Sequence, residues 1–141
     1  MDKEIAIINL FINEYSLKNI KFNKGVSLEI IKDFEQKINF VFPSDFKYFY
    51  KNRNGFDYVM DDNLYCLWSI ERIFKELSEY YPNQNDIIDF IPIADYQMNS
   101  HHVGFLLNKK GLYKDYEVFV KVADTYSEFI QKLLKGDNDL F

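Results

Sequence analysis

The spacing of apolar residues changes midway along this chain of 141 residues. In the N-terminal third they recur at helical intervals, as in Ile5, Ile8 and Ile12. From Leu64 onward they come in short runs or alternate with polar residues, which is typical of strands. The segment 126–134 then returns to helical spacing. Because helices precede the strands and one helix follows them, the sequence predicts an α+β fold with a mainly antiparallel meander of strands and a closing C-terminal helix.

Capping and breaking residues predict where the helices begin and end. Ser27 and Ser69 each precede an amphipathic segment, and serine is a preferred N-cap residue. Thr125 and Glu128 have the spacing of a capping box, which predicts the start of the last helix. Gly136 follows that segment and predicts its end, because glycine tolerates the left-handed geometry of a helix stop.

The strands are predicted from short apolar runs bounded by turn residues. The predicted strands cover residues 64–68, 87–94, 102–107 and 116–122. Residues 108–111 form the predicted turn between the third and the fourth. Pro92 cannot donate a backbone hydrogen bond, so it predicts a sheet edge or a strand end. The alternation of Val118, Val120 and Val122 with other residues predicts a half-buried final strand.

Length and residue usage indicate the class of protein. No linker or repeat divides the chain, so we expect one domain over residues 1–141. No apolar run approaches the roughly 18 residues of a membrane span. The first four residues, Met1-Asp2-Lys3-Glu4, lack the pattern of a signal peptide, and Cys66 has no second cysteine to pair with. These features favour a cytoplasmic protein without a membrane partner.

The negative charge of the chain is concentrated in one segment. The net charge is −5, but residues 57–100 alone contain nine acidic and two basic side chains. Nucleic-acid binding needs clustered basic residues, so we expect no nucleic-acid partner. The 11 tyrosines exceed what a small core needs, which predicts that some lie at the surface. The candidate partner-binding residues are Asp57, Tyr58, Asp61, Asp62, Glu79, Tyr80, Asp86, Asp89, Asp95 and Tyr96.

Residues that could support catalysis or metal binding are sparse. Five glycines are too scattered to form a phosphate-binding loop. Cys66 lies in an apolar run and is expected to be a buried, unreactive thiol. His101 and His102 would point to opposite faces of a strand, and the aspartates of 57–62 lack the spacing of a calcium loop. We therefore expect no catalytic residues, no metal site and no cofactor.

A series of short motifs points to a known family. A predicted helix carries Phe34-Glu35, and Phe42-Pro43-Ser44-Asp45-Phe46 and then Asn54-Gly55 follow it, with Phe42 where leucine is usual. Segments 90–95 and 123–129 agree as well, although residues 96–100 replace a glycine-rich turn. Over about residues 27–135, this series resembles the SUKH superfamily, with residues 1–20 as a helical extension. The signature residues are Phe34, Glu35, Pro43, Phe46, Asn54, Gly55 and Phe129.

The resemblance implies a function in protein binding. The superfamily includes relatives of a yeast cell-wall assembly regulator and many bacterial immunity proteins of polymorphic and contact-dependent toxin systems. It implies a non-enzymatic, cytoplasmic immunity protein whose partner is a cognate toxin, the C-terminal domain of a secreted protein. The acidic segment would suit a toxin with a basic cleft, such as a nuclease. Two alternatives remain: a regulatory scaffold of the same fold, and a small hydrolase or metal protein using Cys66, His101 and His102.

Overall fold

A computed structural model describes residues 2–83 and 88–141. Helices and strands follow one another in the order that the spacing of apolar residues predicts, and the α+β fold class is confirmed. The helices are α1 (Asp2–Leu17), α2 (Leu28–Ile38), α3 (Ser44–Asn52), α4 (Ile70–Tyr80) and α5 (Tyr126–Lys135), with a 3-10 turn at Asn138–Leu140. The strands are β1 (Tyr65–Leu67), β2 (Phe90–Tyr96), β3 (His101–Leu106), β4 (Lys109–Tyr116) and β5 (Val118–Ala123). They form an antiparallel sheet in sequence order, which is the predicted meander.

The predicted helix caps are present. Ser27 Oγ accepts a hydrogen bond from the Ile30 amide at 3.3 Å, and Ser69 Oγ accepts one from the Arg72 amide at 3.1 Å. Thr125 does the same at the start of α5. Each cap satisfies an amide that has no partner inside its own helix, so these boundaries are set by local sequence.

Strand β4 was not predicted, and the predicted strand 116–122 combines the last residue of β4 with most of β5. Residues 109–116, of which 109–111 were predicted as turn, form a full strand, and Glu117 has a φ of 60° where the chain reverses into β5. The prediction of a half-buried final strand is wrong at Val118 and Val120, which are exposed, whereas Val122 is buried as the alternation predicts. The lysines and the aspartate of β4 interrupt the alternation of apolar and polar residues that would predict a strand. The segment is a strand because it pairs with β3 on one side and with β5 on the other.

The prediction that Pro92 lies at a sheet edge or strand end is also wrong. Pro92 is inside β2, which lies between β1 and β3. β1 pairs only with residues 94–96 of β2, and the register shifts between Pro92 and Ala94. Proline is tolerated in this interior strand because β1 ends before reaching it and the ladder is irregular there.

The register assigns the two faces of the sheet to different neighbours. On the inner face, Phe105 of β3 contacts Phe42 and Phe46, and Phe46 contacts Tyr126 of α5 with ring centroids 5.1 Å apart. The outer face carries a row of aligned polar residues, Asp95, His102 and Asp115. Helix α4 packs against β2. The aromatic core therefore lies between the inner face and the other helices, and the polar row lies on the side opposite that core.

Several signature residues hold the junctions between helices. Glu35 accepts a hydrogen bond from the Phe42 amide at 2.7 Å and pairs with Lys47 at 3.1 Å, which fixes the turn from α2 to α3. Asn54 accepts one from the Ile70 amide at 2.8 Å, so it helps to cap α4. These contacts give Glu35 and Asn54 of the signature a structural role.

Candidate functional site

Residues 57–64, in the loop that connects α3 to β1, expose three consecutive apolar side chains. Tyr58, Val59 and Met60 are 78%, 47% and 41% exposed, and we call them the tip. Single exposed apolar residues are common, but contiguous ones mark interaction surfaces in proteins. The tip therefore defines the first part of the candidate site.

Asp57 holds the beginning of this loop. One of its carboxylate oxygens accepts a hydrogen bond from the Ser69 amide at 2.9 Å, and the other accepts one from the Asn23 side chain at 3.3 Å. Asp57 is half-buried, and its carboxylate connects the loop to the start of α4. It therefore supports the tip from behind.

Asp61 holds the end of the loop from inside the protein. It is buried, and its carboxylate accepts hydrogen bonds from the Tyr15 hydroxyl at 2.6 Å and from the Asn63 and Tyr65 amides at 2.8 and 2.9 Å. Burial raises the pKa of Asp61, although these three donors favour its charged form. The sequence places Asp61 among the contact residues, whereas the structure uses its carboxylate to fix the loop.

Arg72 of α4 supports the tyrosine of the tip. Its guanidinium lies 4.9 Å from the ring centroid of Tyr58 and 4.5 Å from that of Trp68. It pairs with Asp95 at 3.3 Å and with Glu76 at 3.8 Å. Asp95 is buried and accepts a hydrogen bond from the Trp68 indole at 2.6 Å, so its carboxylate also faces inward. Cation–π contact and charge balance together hold Tyr58 in place.

A line of side chains on α4 extends the site, from the largely buried Arg72 to the exposed Tyr80. Arg72, Glu76 and Tyr80 are spaced four residues apart and form one line along the helix, which we call the α4 stripe. Tyr80 is 68% exposed at the end of this line. The cleft between the stripe and the outer sheet face has a volume of only about 20 Å³, enough for about one water molecule. The site is therefore a surface suited to a macromolecule.

The remaining predicted residues are dispersed. Asp62 is exposed and pairs with Lys18 at 3.4 Å, and Glu79 is exposed on α4. Asp89 is exposed and accepts a hydrogen bond from Tyr81. Tyr96 stacks on His101 on the inner face, on the other side of the sheet from Arg72. Asp86 lies outside the described residues.

Sequence reasoning missed Val59, Met60, Arg72 and Glu76. Val59 and Met60 are two apolar residues that belong to no predicted helix or strand face. This was the available sequence signal for the tip. The role of Arg72 had no local signal, since Tyr58 and Asp95 meet it only in the folded protein.

The residues considered for catalysis or metal binding are arranged as follows. Cys66 is buried, its thiol donates to the Phe56 carbonyl at 3.2 Å, and burial raises its pKa, which is the reverse of an activated nucleophile. Asp95 lies between Cys66 and His102 in the strand register. Within residues 2–83 and 88–141, no group of three or more His, Cys, Asp or Glu side chains is placed to hold a metal ion.

The two histidines point to opposite faces, as predicted. His101 is buried on the inner face, where Nε2 lies 3.1 Å from the Tyr65 hydroxyl, and burial lowers its pKa. His102 lies on the outer face with Nδ1 2.8 Å from Asp115. The pair cannot bind one ion together.

A roomier groove lies at the other end of the sheet. Its volume is about 450 Å³, and it is lined by apolar residues of the β3–β4 turn and of the α2–α3 connection, including Val41 and Leu107. It contains none of the predicted contact residues and is the alternative binding surface of the protein.

Comparison with known proteins identifies the family. The model of the SMI1 / KNR4 family (SUKH-1) matches residues 25–132, which include the tip, the α4 stripe and the whole sheet. A search of curated proteins found no match. None of the described helices is long and apolar enough to cross a membrane. The match covers well over half of the chain, so the protein belongs to the SMI1 / KNR4 family (SUKH-1), the family of toxin-immunity and SMI1/KNR4-like protein-interaction modules.

Proposed function

We propose that this protein is a cytoplasmic immunity protein that binds and neutralises a cognate toxin, the C-terminal domain of a secreted protein. Family membership supports a binding role. The observation that carries the proposal is the tip, three contiguous exposed apolar side chains on a loop that two aspartates hold in place. The tip and the α4 stripe form the proposed interface.

The tip has the physical properties of a binding hot spot. Tyr58 offers a large ring and a hydroxyl, and tyrosine is enriched among residues that dominate binding energy. Its φ of 63° is unusual for a residue with a side chain, so the surrounding contacts must hold it there. Because Asp57 and Asp61 fix both ends of the loop, a partner that covers the tip loses little conformational entropy of the loop.

Charge favours a toxin with a basic surface. Asp62, Glu76 and Glu79 lie on the loop and on α4, within the segment that has nine acidic and two basic residues. Acidic side chains around an apolar centre speed association with a basic cleft and select against acidic partners. A nuclease is one such toxin, and the immunity protein would act by covering its active site or a neighbouring surface.

Co-expression with the toxin tests the proposal. We expect the wild-type protein to restore growth of cells that produce the toxin domain encoded beside its gene. The double variant Tyr58→Ser/Met60→Ser should fail to do so, and its affinity should fall at least about tenfold, because both residues lie in the proposed hot spot. The matched control is Leu17→Ser, since Leu17 is 80% exposed on α1 and outside the interface. Thermal unfolding should show that all three proteins are folded.

The outcomes separate the competing functions. Full protection by the tip variant would contradict the interface. Absence of a toxin gene nearby, or absence of protection by the wild type, would contradict immunity and favour the regulatory scaffold.

The charge mechanism has its own test. Asp62→Lys/Glu79→Lys should slow association with the toxin, and the difference from wild type should shrink as salt screens the charges. Glu29→Lys, on the exposed side of α2, is the control. Stopped-flow kinetics at 50 and 500 mM salt would measure this effect, and an unchanged rate constant at low salt would refute it.

A further inference from the structure

The two edges of the sheet are protected differently. At the β1 edge, the Leu67 and Tyr65 carbonyls accept hydrogen bonds from the Phe56 and Asp61 amides, both at 2.8 Å. At the β5 edge, residues 118–121 have no further backbone partner within the part of the chain that the structure describes. An unprotected edge is a template for another strand. One end of this sheet is therefore closed and the other is open.

The open edge is apolar on both faces. Val118, Phe119 and Val120 are 69%, 46% and 41% exposed, although neighbouring residues of a strand point to opposite faces. Proteins usually protect an exposed edge with central charges, prolines or bulges. Here the charged Glu117 and Lys121 lie only at the two ends of the apolar run. This segment has the composition of a buried strand.

We infer that the β5 edge pairs with β5 of a second copy of this chain. An antiparallel pair centred on Phe119 places Phe119 opposite its own copy and Val118 opposite Val120. It also brings Glu117 of each copy next to Lys121 of the other. Glu117 lies in the turn just before β5, and centring the pair on Val118 would move it away from Lys121 of the other copy and lose both charge contacts. The segment is therefore complementary to itself in one register, which selects a second copy over an unrelated strand.

This pairing makes one continuous sheet across a twofold axis. Phe119 already contacts Phe90 on the outer face, with ring centroids 4.9 Å apart, and the two copies of Phe119 would extend that contact. The paired segment is short, so we expect a weak dimer that forms at micromolar concentrations. The tip lies beside β1 at the opposite edge of the sheet, but Phe90 lines the same cleft as Glu76 and Tyr80, so the dimer borders the end of the α4 stripe. The inference is argued from the β5 edge alone and does not rest on the proposed function.

Charge exchange at the two ends tests both the dimer and its register. We expect sedimentation velocity to show a wild-type dimer that dissociates on dilution. Glu117→Lys and Lys121→Glu should each weaken it about 3- to 30-fold, because two attractive contacts become repulsive. An equimolar mixture of the two variants should regain wild-type association, since each copy then faces an opposite charge. Glu29→Lys, exposed on α2, is the control. Lys121 also forms an ion pair with Asp124, so folding of Lys121→Glu is checked by thermal unfolding.

A cross-link gives a second measurement that does not depend on charge. Phe119→Cys should form a disulfide-linked dimer with diamide, because directly opposite residues of paired strands are close enough for a disulfide. Val41→Cys, at a position that is more exposed than Phe119 (73% against 46%), should not. A monomer at all concentrations, a dimer that no edge variant weakens, or a mixture without recovery would each overturn the inference.

Discussion

Asp61 and Asp62 are adjacent in sequence but have different structural roles. Asp61 lies inside the protein and accepts three hydrogen bonds, from one side chain and two amides. Asp62 is exposed and makes one ion pair, with Lys18. A buried polar group that loses its partner costs more than a surface ion pair contributes. Asp61 therefore supports the loop, and Asp62 contributes to the charge of the surface.

Alanine at each position should show this difference. Asp61→Ala leaves the Tyr15 hydroxyl and two amides without their acceptor, so we expect it to lower the free energy of unfolding by about 2–4 kcal/mol. Asp62→Ala should change it by less than about 0.5 kcal/mol. Urea unfolding measures both values. Equal effects would contradict the role of Asp61.

His101 should make stability depend on pH. Burial and the charge of Lys114 lower its pKa below the ordinary 6.5, so the unfolded chain binds a proton more readily. Its contribution to stability is therefore complete above pH 6.5 and is lost as the pH falls from 6.5 toward the lower folded-state pKa. His101→Gln should reduce the loss between pH 7 and 5, with a slope difference of at most about 1.4 kcal/mol per pH unit. Identical slopes in urea unfolding at pH 7, 6 and 5 would refute this.

At the scale of elements, the junction after α3 is the most constrained. Gly55 has a φ of 67°, and a Cβ atom there would lie 2.6 Å from the backbone oxygens of Leu67 and Trp68. Gly136 ends α5 with nearly the same φ, but its Cβ would meet only the Asn63 side chain at 3.2 Å. The two glycines thus share a conformation and differ in their neighbours.

Alanine substitutions at these glycines should therefore differ. Gly136→Ala should cost about 1 kcal/mol, which is the conformational effect alone. Gly55→Ala adds a clash with the backbone at the end of β1 and just before α4, so we expect a loss of at least about 3 kcal/mol or a failure to fold. Thermal unfolding with circular dichroism compares them. A similar loss in both variants would mean that the junction can shift.

The elements also show what the sequence could predict. Helix starts at Ser27, Ser69 and Thr125 were predictable because a cap is a contact within four residues. Strand β4 was not, because its polar residues become a strand only through neighbours on both sides. The same reason explains the candidate site. The acidic segment includes the loop of the candidate site, but the inward direction of Asp61 and Asp95 depends on Tyr15, Trp68 and Arg72.

At the scale of the whole molecule, the sheet separates two surfaces. The tip lies at the β1 edge and the open edge of β5 is the opposite one, while the α4 stripe runs from the tip toward Phe90, which Phe119 of β5 contacts. The aromatic core between the inner sheet face and helices α3 and α5 connects them. A dimer through β5 would present two tips, so two toxin molecules could bind one dimer.

Amide hydrogen exchange of the protein, free and bound to its toxin, locates the interface without a mutation. We expect slower exchange on binding in residues 57–64 and in α4. The groove beside Val41 and Leu107 should exchange as in the free protein. Protection confined to that groove, with unchanged exchange in the loop and α4, would contradict the account.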